Sequence, residues 1–133
     1  RGHGPAMRRS IEADDNASPL GPYSHGATDG RLLFTAGQIP VTPEGAVIAD
    51  EPIGPQTDLA LANVERILAE AGLGMGDVLK TTVYMTDIDD FDGMNRVYRS
   101  YFEAEPPART ALEVRRIAAD AAIEIEAVAT HEP

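Results

Sequence analysis

The sequence predicts an α+β fold in which a single mixed β-sheet carries two helices on one face. Two segments have the apolar spacing of amphipathic helices, and four others have the composition of β-strands. Strands and helices alternate before a final pair of strands, a pattern typical of a two-layer domain. The length of 133 residues suits one domain, which we assign to residues 7–133. Residues 1–6 precede Met7 and are expected to be a disordered leader or an expression remnant.

The first helix is predicted over Asp58–Ala71. Its apolar side chains recur at the helical spacing and form one stripe, which consists of Leu61, Val64, Leu68 and Ala71. Thr57 or the first helical residue is expected to cap the start, and Gly72 lies where a left-handed residue often ends a helix. Pro52 and Pro55 should keep the preceding segment non-helical. The glycine-rich stretch that follows therefore indicates a helix end and a turn rather than a phosphate-binding loop.

The second helix is predicted to begin after Asp89 or Asp90, with an apolar side that starts at Phe91. The Pro106-Pro107 pair ends it, because proline cannot continue a helix. Gly93 weakens the prediction for the first turn, since glycine is less favourable than alanine by about 1 kcal/mol in a helix.

Four segments are predicted to be strands because they are rich in apolar or β-branched residues. They are Arg31–Gln38, Asp77–Thr86, Thr110–Ile117 and Ala122–Thr130. The last two are separated by only four residues around Asp120, which predicts a hairpin between them.

The last strand indicates how the two faces of the sheet differ. Alternation directs one set of side chains to one face, namely Ile123, Ile125, Ala127 and Ala129. The other face receives Glu124, Glu126, Val128 and Thr130. Two helices cover only one face, so the other must be polar or pack against another subunit. A face that mixes carboxylates with valine suits an oligomer interface that contains a site.

Charge and composition exclude several classes of function. The chain has 11 basic and 22 acidic side chains and a net charge of −11, which opposes binding to nucleic acids and to anionic membranes. The absence of cysteine excludes disulfide scaffolds, thiol catalysis and thiolate metal sites. His3, His25 and His131 lack the spacing of metal ligands, so no metal is expected. We find neither a secretory signal nor an apolar run near the ~20 residues of a membrane helix, and expect a cytoplasmic protein.

Three residues are candidates for chemistry, and each also has an ordinary structural interpretation. Tyr23 lies in a turn and, alone, fits a packed loop tyrosine. Arg109 follows a rigid proline pair, which suits bidentate carboxylate binding and equally a surface ion pair. Glu124 alone is typical of a solvent-facing strand residue. His25 fits a surface loop better than a pocket.

Four segments considered together resemble the RidA/YjgF family of imine deaminases. They are Gly21–Tyr23, Thr35–Pro40, Pro107–Thr110 with Glu113-Val114, and Ile123–Ala127. Their order and spacing are similar to the family pattern, and further matches lie in Gly76–Val83 and Phe91–Asn95. The resemblance spans roughly residues 10–130, and no single motif carries it.

The resemblance implies a chorismate-mutase-like subunit that assembles as a homotrimer, with the sheets packed inward and three sites between subunits. Members of the family hydrolyse 2-aminoacrylate-type enamines and their imines, which pyridoxal-phosphate dehydratases release from serine and threonine. The products are a 2-oxo acid and ammonia, and no cofactor or metal is needed. Such a trimer would account for the uncovered face of the predicted sheet.

The family pattern also implies roles for eight residues of this chain. Arg109 matches the arginine that binds the substrate carboxylate, and Glu124 matches the acid that orients or activates the attacking water. Tyr23 matches a tyrosine at the site. The remaining matches are expected to line the pocket, and they are Thr35, Gly37, Gln38, Asn95 and Ala111.

Ala111 departs from the family pattern, since many members carry cysteine or serine two residues after the arginine. The backbone carbonyl there can still accept a hydrogen bond from the substrate nitrogen, but the thiol or hydroxyl is missing. A second hypothesis therefore stays open, in which the chain is a non-catalytic trimeric module that binds small carboxylates or partner proteins. A ribonuclease activity, attached to some members of the family, is disfavoured by the net charge.

Overall fold

The computed structural model describes residues 7–132, which form six strands and two helices. The strands are Arg9–Ile11 (β1), Gly26–Thr28 (β2), Leu32–Thr35 (β3), Val78–Met85 (β4), Ala108–Glu113 (β5) and Ile123–Thr130 (β6). The helices are Ile53–Glu70 (α1) and Phe91–Tyr101 (α2). The expectation about residues 1–6 lies outside the described part of the chain.

The six strands form one mixed sheet in the order β1-β2-β3-β6-β4-β5. Strand β6 is antiparallel to both of its neighbours, β3 and β4, whereas β5 runs parallel to β4. The predicted hairpin between the last two strands is therefore wrong. Helix α2 crosses over the sheet and returns the chain parallel to β4, as such a connection must. The chain then crosses to the other side of β4, where β6 completes the sheet.

Strands β1 and β2 were not predicted from the sequence. Each has three residues, which is too short for a period-two pattern to be recognised. Pairing with β3 makes β2 a strand, with Ala27 opposite Phe34.

Helix α1 begins at Ile53, five residues before the predicted start. The expectation that Pro55 would keep this segment non-helical is wrong, because the first-turn N–H groups have no acceptor within the helix. The predicted cap is wrong as well. Pro52 occupies the N-cap position without a side-chain hydrogen bond, and the Thr57 hydroxyl instead donates to the Ile53 carbonyl at 2.7 Å.

The end of α1 agrees with the sequence. Gly72 has a φ of 76°, the left-handed conformation expected for a residue that ends a helix. Its N–H donates to the Ala69 carbonyl at 2.9 Å, and the Leu73 N–H donates to the Leu68 carbonyl at 2.9 Å. This pair of bonds is a Schellman motif, which satisfies carbonyls at the end of the helix.

The hydrophobic core lies between the sheet and the two helices, as predicted. Its fully buried members come from both layers and include Leu33, Leu61, Val64, Leu68, Val83, Met85, Met94, Ile123 and Ile125. The alternation of β6 is confirmed, because Ile123, Ile125, Ala127 and Ala129 are buried and the residues between them are partly exposed. Within residues 7–132, both α-helices lie on the core side of the sheet, and neither covers the opposite face. Within residues 7–132, no helix is both long and apolar enough to cross a membrane.

Gly93 of α2 lies against Ile53 of α1. A Cβ atom added to this glycine would lie 2.7 Å from Cγ2 of Ile53. Side-chain carbons do not approach so closely, so the packing of α2 on α1 requires glycine here despite its low helix propensity.

Gly93→Ala should therefore destabilise the fold even though alanine is the better helix former. Overpacking of a core costs about 1–3 kcal/mol, which exceeds or matches the propensity gain of about 1 kcal/mol. Urea unfolding monitored by circular dichroism measures the change. Gly76→Ala is the matched control, since nothing lies within 4 Å of a Cβ there.

In an Ile53→Ala background the contact is removed, so Gly93→Ala should become neutral or stabilising. An unfolding midpoint that rises with Gly93→Ala alone would contradict this account of the helix packing.

Candidate functional site

A cavity of about 400 Å³ lies where β6 begins, on the side of the sheet without helices. Its walls come from residues 17–25 and 37–47. Its polar lining residues are Ser18, Tyr23, His25, Gln38, Glu44 and Glu124, and the backbone of Gly37 also faces it. Apolar side chains such as Leu20, Val41 and Val47 complete the lining.

Glu124 projects from β6 into this cavity and is about half buried. Loss of solvent raises the pKa of its carboxyl group, and the negative charge of Glu126, two residues along the strand, raises it further. Tyr84 lies opposite Glu124 on β4, and its hydroxyl donates to Glu126 Oε1 at 3.1 Å. A carboxylate in this environment is a stronger base than one in water.

Gly37 gives Glu124 the space that it occupies. A Cβ atom on residue 37 would overlap the Glu124 carboxylate, so any larger residue would displace this carboxylate from its position. The neighbouring backbone fixes the approach, because the Gln38 N–H donates to the Ile125 carbonyl at 2.8 Å and the Ile125 N–H returns the bond at 3.0 Å. The Gln38 side chain is buried and turns back towards the carbonyls of Ala36 and Gly37.

Thr35 belongs to the fold rather than to the cavity surface. It is buried on the helix side of β3, and its hydroxyl accepts a hydrogen bond from the Ala127 N–H at 3.0 Å.

Tyr23 and His25 belong to the loop that closes the cavity. The Tyr23 side chain is 50% exposed, and its hydroxyl accepts a hydrogen bond from the Leu20 N–H at 3.2 Å. The surface-loop interpretation of His25 is wrong, because its ring is buried. Nδ1 accepts from the Ala13 N–H at 3.0 Å, and Nε2 lies 2.7 Å from the Ala17 carbonyl, to which it donates. The sequence held no signal for this burial, which depends on backbone groups of Ala13 and Ala17 earlier in the same connection between β1 and β2.

Arg109 lies on the opposite, helix-bearing side of the sheet, in a second cavity of about 410 Å³. Its Nη1 donates to Asn95 Oδ1 at 2.7 Å. The guanidinium carbon lies 4.7 Å from the centre of the Tyr98 ring and 5.4 Å from that of Phe91. Within residues 7–132, no carboxylate lies within salt-bridge distance of Arg109. The structure thus does not support the surface ion pair as the alternative role.

Ala111 follows two residues later on the same face of β5. It packs against the hydrophobic core and lies opposite Val83 of β4. Its methyl group adds no polar atom to the surroundings of Arg109.

One chain does not bring Arg109 and Glu124 together. Arg109 aligns with Thr81 on β4, whereas Glu124 aligns with Tyr84, three residues further along. The two Cα atoms are two strand spacings apart across the sheet and three residues apart along the strands, which gives a separation of about 14 Å. Their side chains also point to opposite faces of the sheet. Tyr23, Gly37, Gln38 and Glu124 form one group, and Arg109 with Asn95 forms another.

The family model described as Endoribonuclease L-PSP matches residues 14–131. The chain belongs to this family. It is the family of the RidA/YjgF proteins, which the sequence motifs resemble.

Individual relatives support the same family membership. A RutC family protein of Pyrococcus horikoshii is 44% identical over 126 residues, which cover 95% of this chain and all of the relative. A 2-iminobutanoate/2-iminopropanoate deaminase of Escherichia coli is 41% identical over 127 residues, covering 92% of this chain and 98% of the relative. The crystal structure of Escherichia coli TdcF with bound serine superimposes with a TM-score of 0.88 at 38% identity, covering 93% and 99% of the two chains.

Glu124→Gln should stabilise the protein at neutral and higher pH. Because the folded-state pKa of Glu124 is raised above its ordinary value of 4.5, the folded state favours the protonated form. That contribution to stability is present below the ordinary pKa and is lost as the pH rises through the folded pKa. Thermal unfolding should give a higher Tm for the variant at pH 8, with the difference disappearing below about pH 4.

The Asp29→Asn substitution should change the Tm at pH 8 in the opposite direction. Hydrogen bonds from the backbone N–H groups of Leu32 and Arg31 lower the pKa of Asp29, so its contribution to stability is present at neutral pH and is lost in acid. A Tm of Glu124→Gln at pH 8 that equals or falls below that of the wild type would contradict the account of Glu124.

Proposed function

We propose that this protein hydrolyses imines and enamines of the 2-aminoacrylate class to 2-oxo acids and ammonia. In this proposal it acts as a homotrimer, and each site lies between two subunits. The observation that carries the proposal is the division of the chain into two half-sites. An arginine that has no carboxylate partner within residues 7–132 lies in one cavity, and a half-buried glutamate lies in another. One small substrate cannot reach both within a chain.

The surface around Glu124 supports assembly through the face of the sheet that carries no helix. Strands β3 and β5 expose three large apolar side chains on this face, namely Leu32, Phe34 and Leu112. Exposed apolar surface beside a cavity is typical of an interaction site. Packing of this face against other subunits would bury these side chains. Arg109 lies on β5, the edge strand of the sheet, where the Glu124 of a neighbouring subunit can approach it.

Arg109 suits the binding of the substrate carboxylate. The rings of Tyr98 and Phe91 fix the plane of the guanidinium, and Asn95 occupies one of its donors, Nη1. Donors that remain can bind a carboxylate in the bidentate geometry that arginine favours. The protein carries a net charge of −11, so the attraction must be local, and the aromatic surroundings strengthen it by excluding water.

Glu124 suits activation of the attacking water. The carboxylate accepts a proton from water as the oxygen bonds to C2 of the imine, and the substrate nitrogen takes up protons from the site and solvent. The carbinolamine that forms then loses ammonia, which leaves the 2-oxo acid. Because an imine is already electrophilic, orientation of the water and modest proton transfer suffice. Tyr23 lies in the same cavity and supplies a hydroxyl that can orient substrate or water.

The names of the relatives support this choice of reaction. Among them are 2-iminobutanoate/2-iminopropanoate deaminases of Salmonella typhimurium and Escherichia coli. TdcF was crystallised with serine, which has the carboxylate and the nitrogen of an imino acid at the same carbon. The family description also contains the word endoribonuclease, but a net charge of −11 opposes the approach of RNA phosphates.

Arg109→Ala should abolish most of the activity. Hydrogen bonds to charged groups contribute about 1.5–3 kcal/mol each, so loss of a bidentate pair should lower kcat/KM at least about 100-fold. Arg109→Lys should be intermediate, since lysine keeps the charge but not the planar fork. The assay follows 2-oxo acid formation when purified protein is added to a serine or threonine dehydratase reaction.

Arg116→Ala serves as the control, since that arginine is exposed and pairs only weakly with Asp120 at 3.4 Å. Equal acceleration by wild type and Arg109→Ala would refute the proposed role of Arg109. Binding of a 2-oxo acid that depends on Arg109, without any turnover, would instead favour the non-catalytic carboxylate-binding module that Ala111 keeps open.

A further inference from the structure

A cluster of polar side chains lies behind the cavity that holds Glu124. It consists of Asn16, Asn63 and Arg66, which we call the asparagine–arginine cluster. Asn63 is 1% exposed and Asn16 is 8% exposed. Arg66 Nε donates to Asn16 Oδ1 at 2.8 Å, and Arg66 Nη2 donates to Asn63 Oδ1. The two asparagines are also joined directly, because Asn16 Nδ2 donates to the Asn63 carbonyl at 3.0 Å.

The cluster fixes both walls of the cavity to one turn of α1. Asn63 Nδ2 donates to the carbonyls of Ile39 at 3.1 Å and Val41 at 3.0 Å, and both residues line the cavity. On the other wall, Asn16 immediately precedes Ala17, which also lines the cavity and accepts the hydrogen bond of His25. One helical turn therefore sets the distance between the two walls.

Packing alone does not require these polar groups. Apolar side chains of similar size can hold a helix against loops without the cost of removing amides and a guanidinium from water. Both N–H donors of Asn63 are used, and Arg66 satisfies its oxygen. Arg66 is partly exposed, and every buried polar atom of the cluster has a hydrogen-bond partner. A network of this kind specifies position more than it adds stability.

We propose that Asn63 and Arg66 are positioning residues that hold the segment Gly37–Val41 in register with Glu124. This assignment rests on the proposed function. Ile39 follows directly after Gly37 and Gln38, which confine the carboxylate and pair with Ile125. A shift of this segment changes the position of Glu124 relative to the water and substrate.

The distance between the half-sites gives the assignment a specific kinetic signature. Arg109 lies in the other cavity and on the other face of the sheet, so the cluster does not touch the residues that bind the carboxylate. Loss of the cluster should therefore lower kcat and leave 2-oxo acid binding nearly unchanged. A displacement of about 1 Å at a catalytic group can lower the rate about 100-fold, so a fall of at least 10-fold in kcat is expected.

The test compares Arg66→Met with Arg66→Lys. Methionine keeps the apolar stem but donates no hydrogen bond, whereas lysine can still reach one of the asparagine oxygens. We expect kcat to fall at least about 10-fold in Arg66→Met, with partial recovery in Arg66→Lys and the Kd of a 2-oxo acid within about two-fold of wild type in both. Arg96→Met, at an exposed position of α2, is the matched control and should leave kcat unchanged.

Gly72→Ala separates positioning from general destabilisation. It strains a residue with a φ of 76° at the far end of α1, away from the cavity. Arg66→Met and Gly72→Ala are compared under conditions in which both have lost the same amount of Tm. If Arg66→Met then lowers kcat no more than Gly72→Ala does, the assignment is overturned.

Hydrogen exchange gives a readout that does not need activity. We expect the backbone amides within residues 37–41 to exchange faster in Arg66→Met than in the wild type, and to be unchanged in Arg96→Met. Unchanged exchange in Arg66→Met would overturn the assignment. Asn63→Leu, which removes the donors to Ile39 and Val41, should show the same pattern if Arg66→Met fails to fold. If the wild type hydrolyses no imine, the proposed function fails and this assignment fails with it.

Discussion

Insertion of β6 between β3 and β4 is the constraint on which the rest of the structure depends. Both edges of β6 are paired, so its side-chain alternation is fixed and cannot slip by one residue without exposing the core. Ile123 and Ile125 are thereby held under the helices, and Glu124 is held on the opposite face. Gly37 and Gln38 extend the pairing beyond β3 through the Gln38–Ile125 bridge, which brings backbone against the carboxylate. The position of the proposed base thus follows from the pairing that builds the sheet.

The same sheet keeps the proposed anion-binding residue away from the proposed base. Arg109 lies on β5, beyond β4, and its side chain faces α2. The rings of Phe91 and Tyr98 pack against the guanidinium, and within residues 7–132 no acidic partner neutralises it. For the proposed reaction, neither group of residues is sufficient alone. Assembly of identical subunits is the simplest way to join them, because a symmetric contact repeats the same junction at every interface.

Strong local signals explain what could be predicted from the sequence. The two helices, the alternation of the last strand and the glycine at the end of α1 follow from periodicity and backbone conformation. The pairing order of the strands could not be predicted in this way. The hairpin predicted around Asp120 depended on closeness in sequence, whereas the crossover through α2 places β5 beside β4 and leaves β6 on the other side of β4. The burial of His25 and the hydrogen bonds of Asn63 depend on backbone carbonyls 8 and 24 residues away, which no local sequence pattern indicates. The family resemblance supplied the candidate site residues, whereas their separation into two cavities required the structure.

Subunit complementation tests the shared site most directly. Arg109→Ala and Glu124→Gln chains are assayed separately for imine hydrolysis, then unfolded, mixed in equal amounts and refolded together. If each site takes Arg109 from one subunit and Glu124 from the next, random assembly rebuilds about one quarter of the intact sites, and activity should return to about that fraction of the wild type. Activity that stays at the level of the separate variants, although mixed oligomers have formed, would contradict a site built from two subunits.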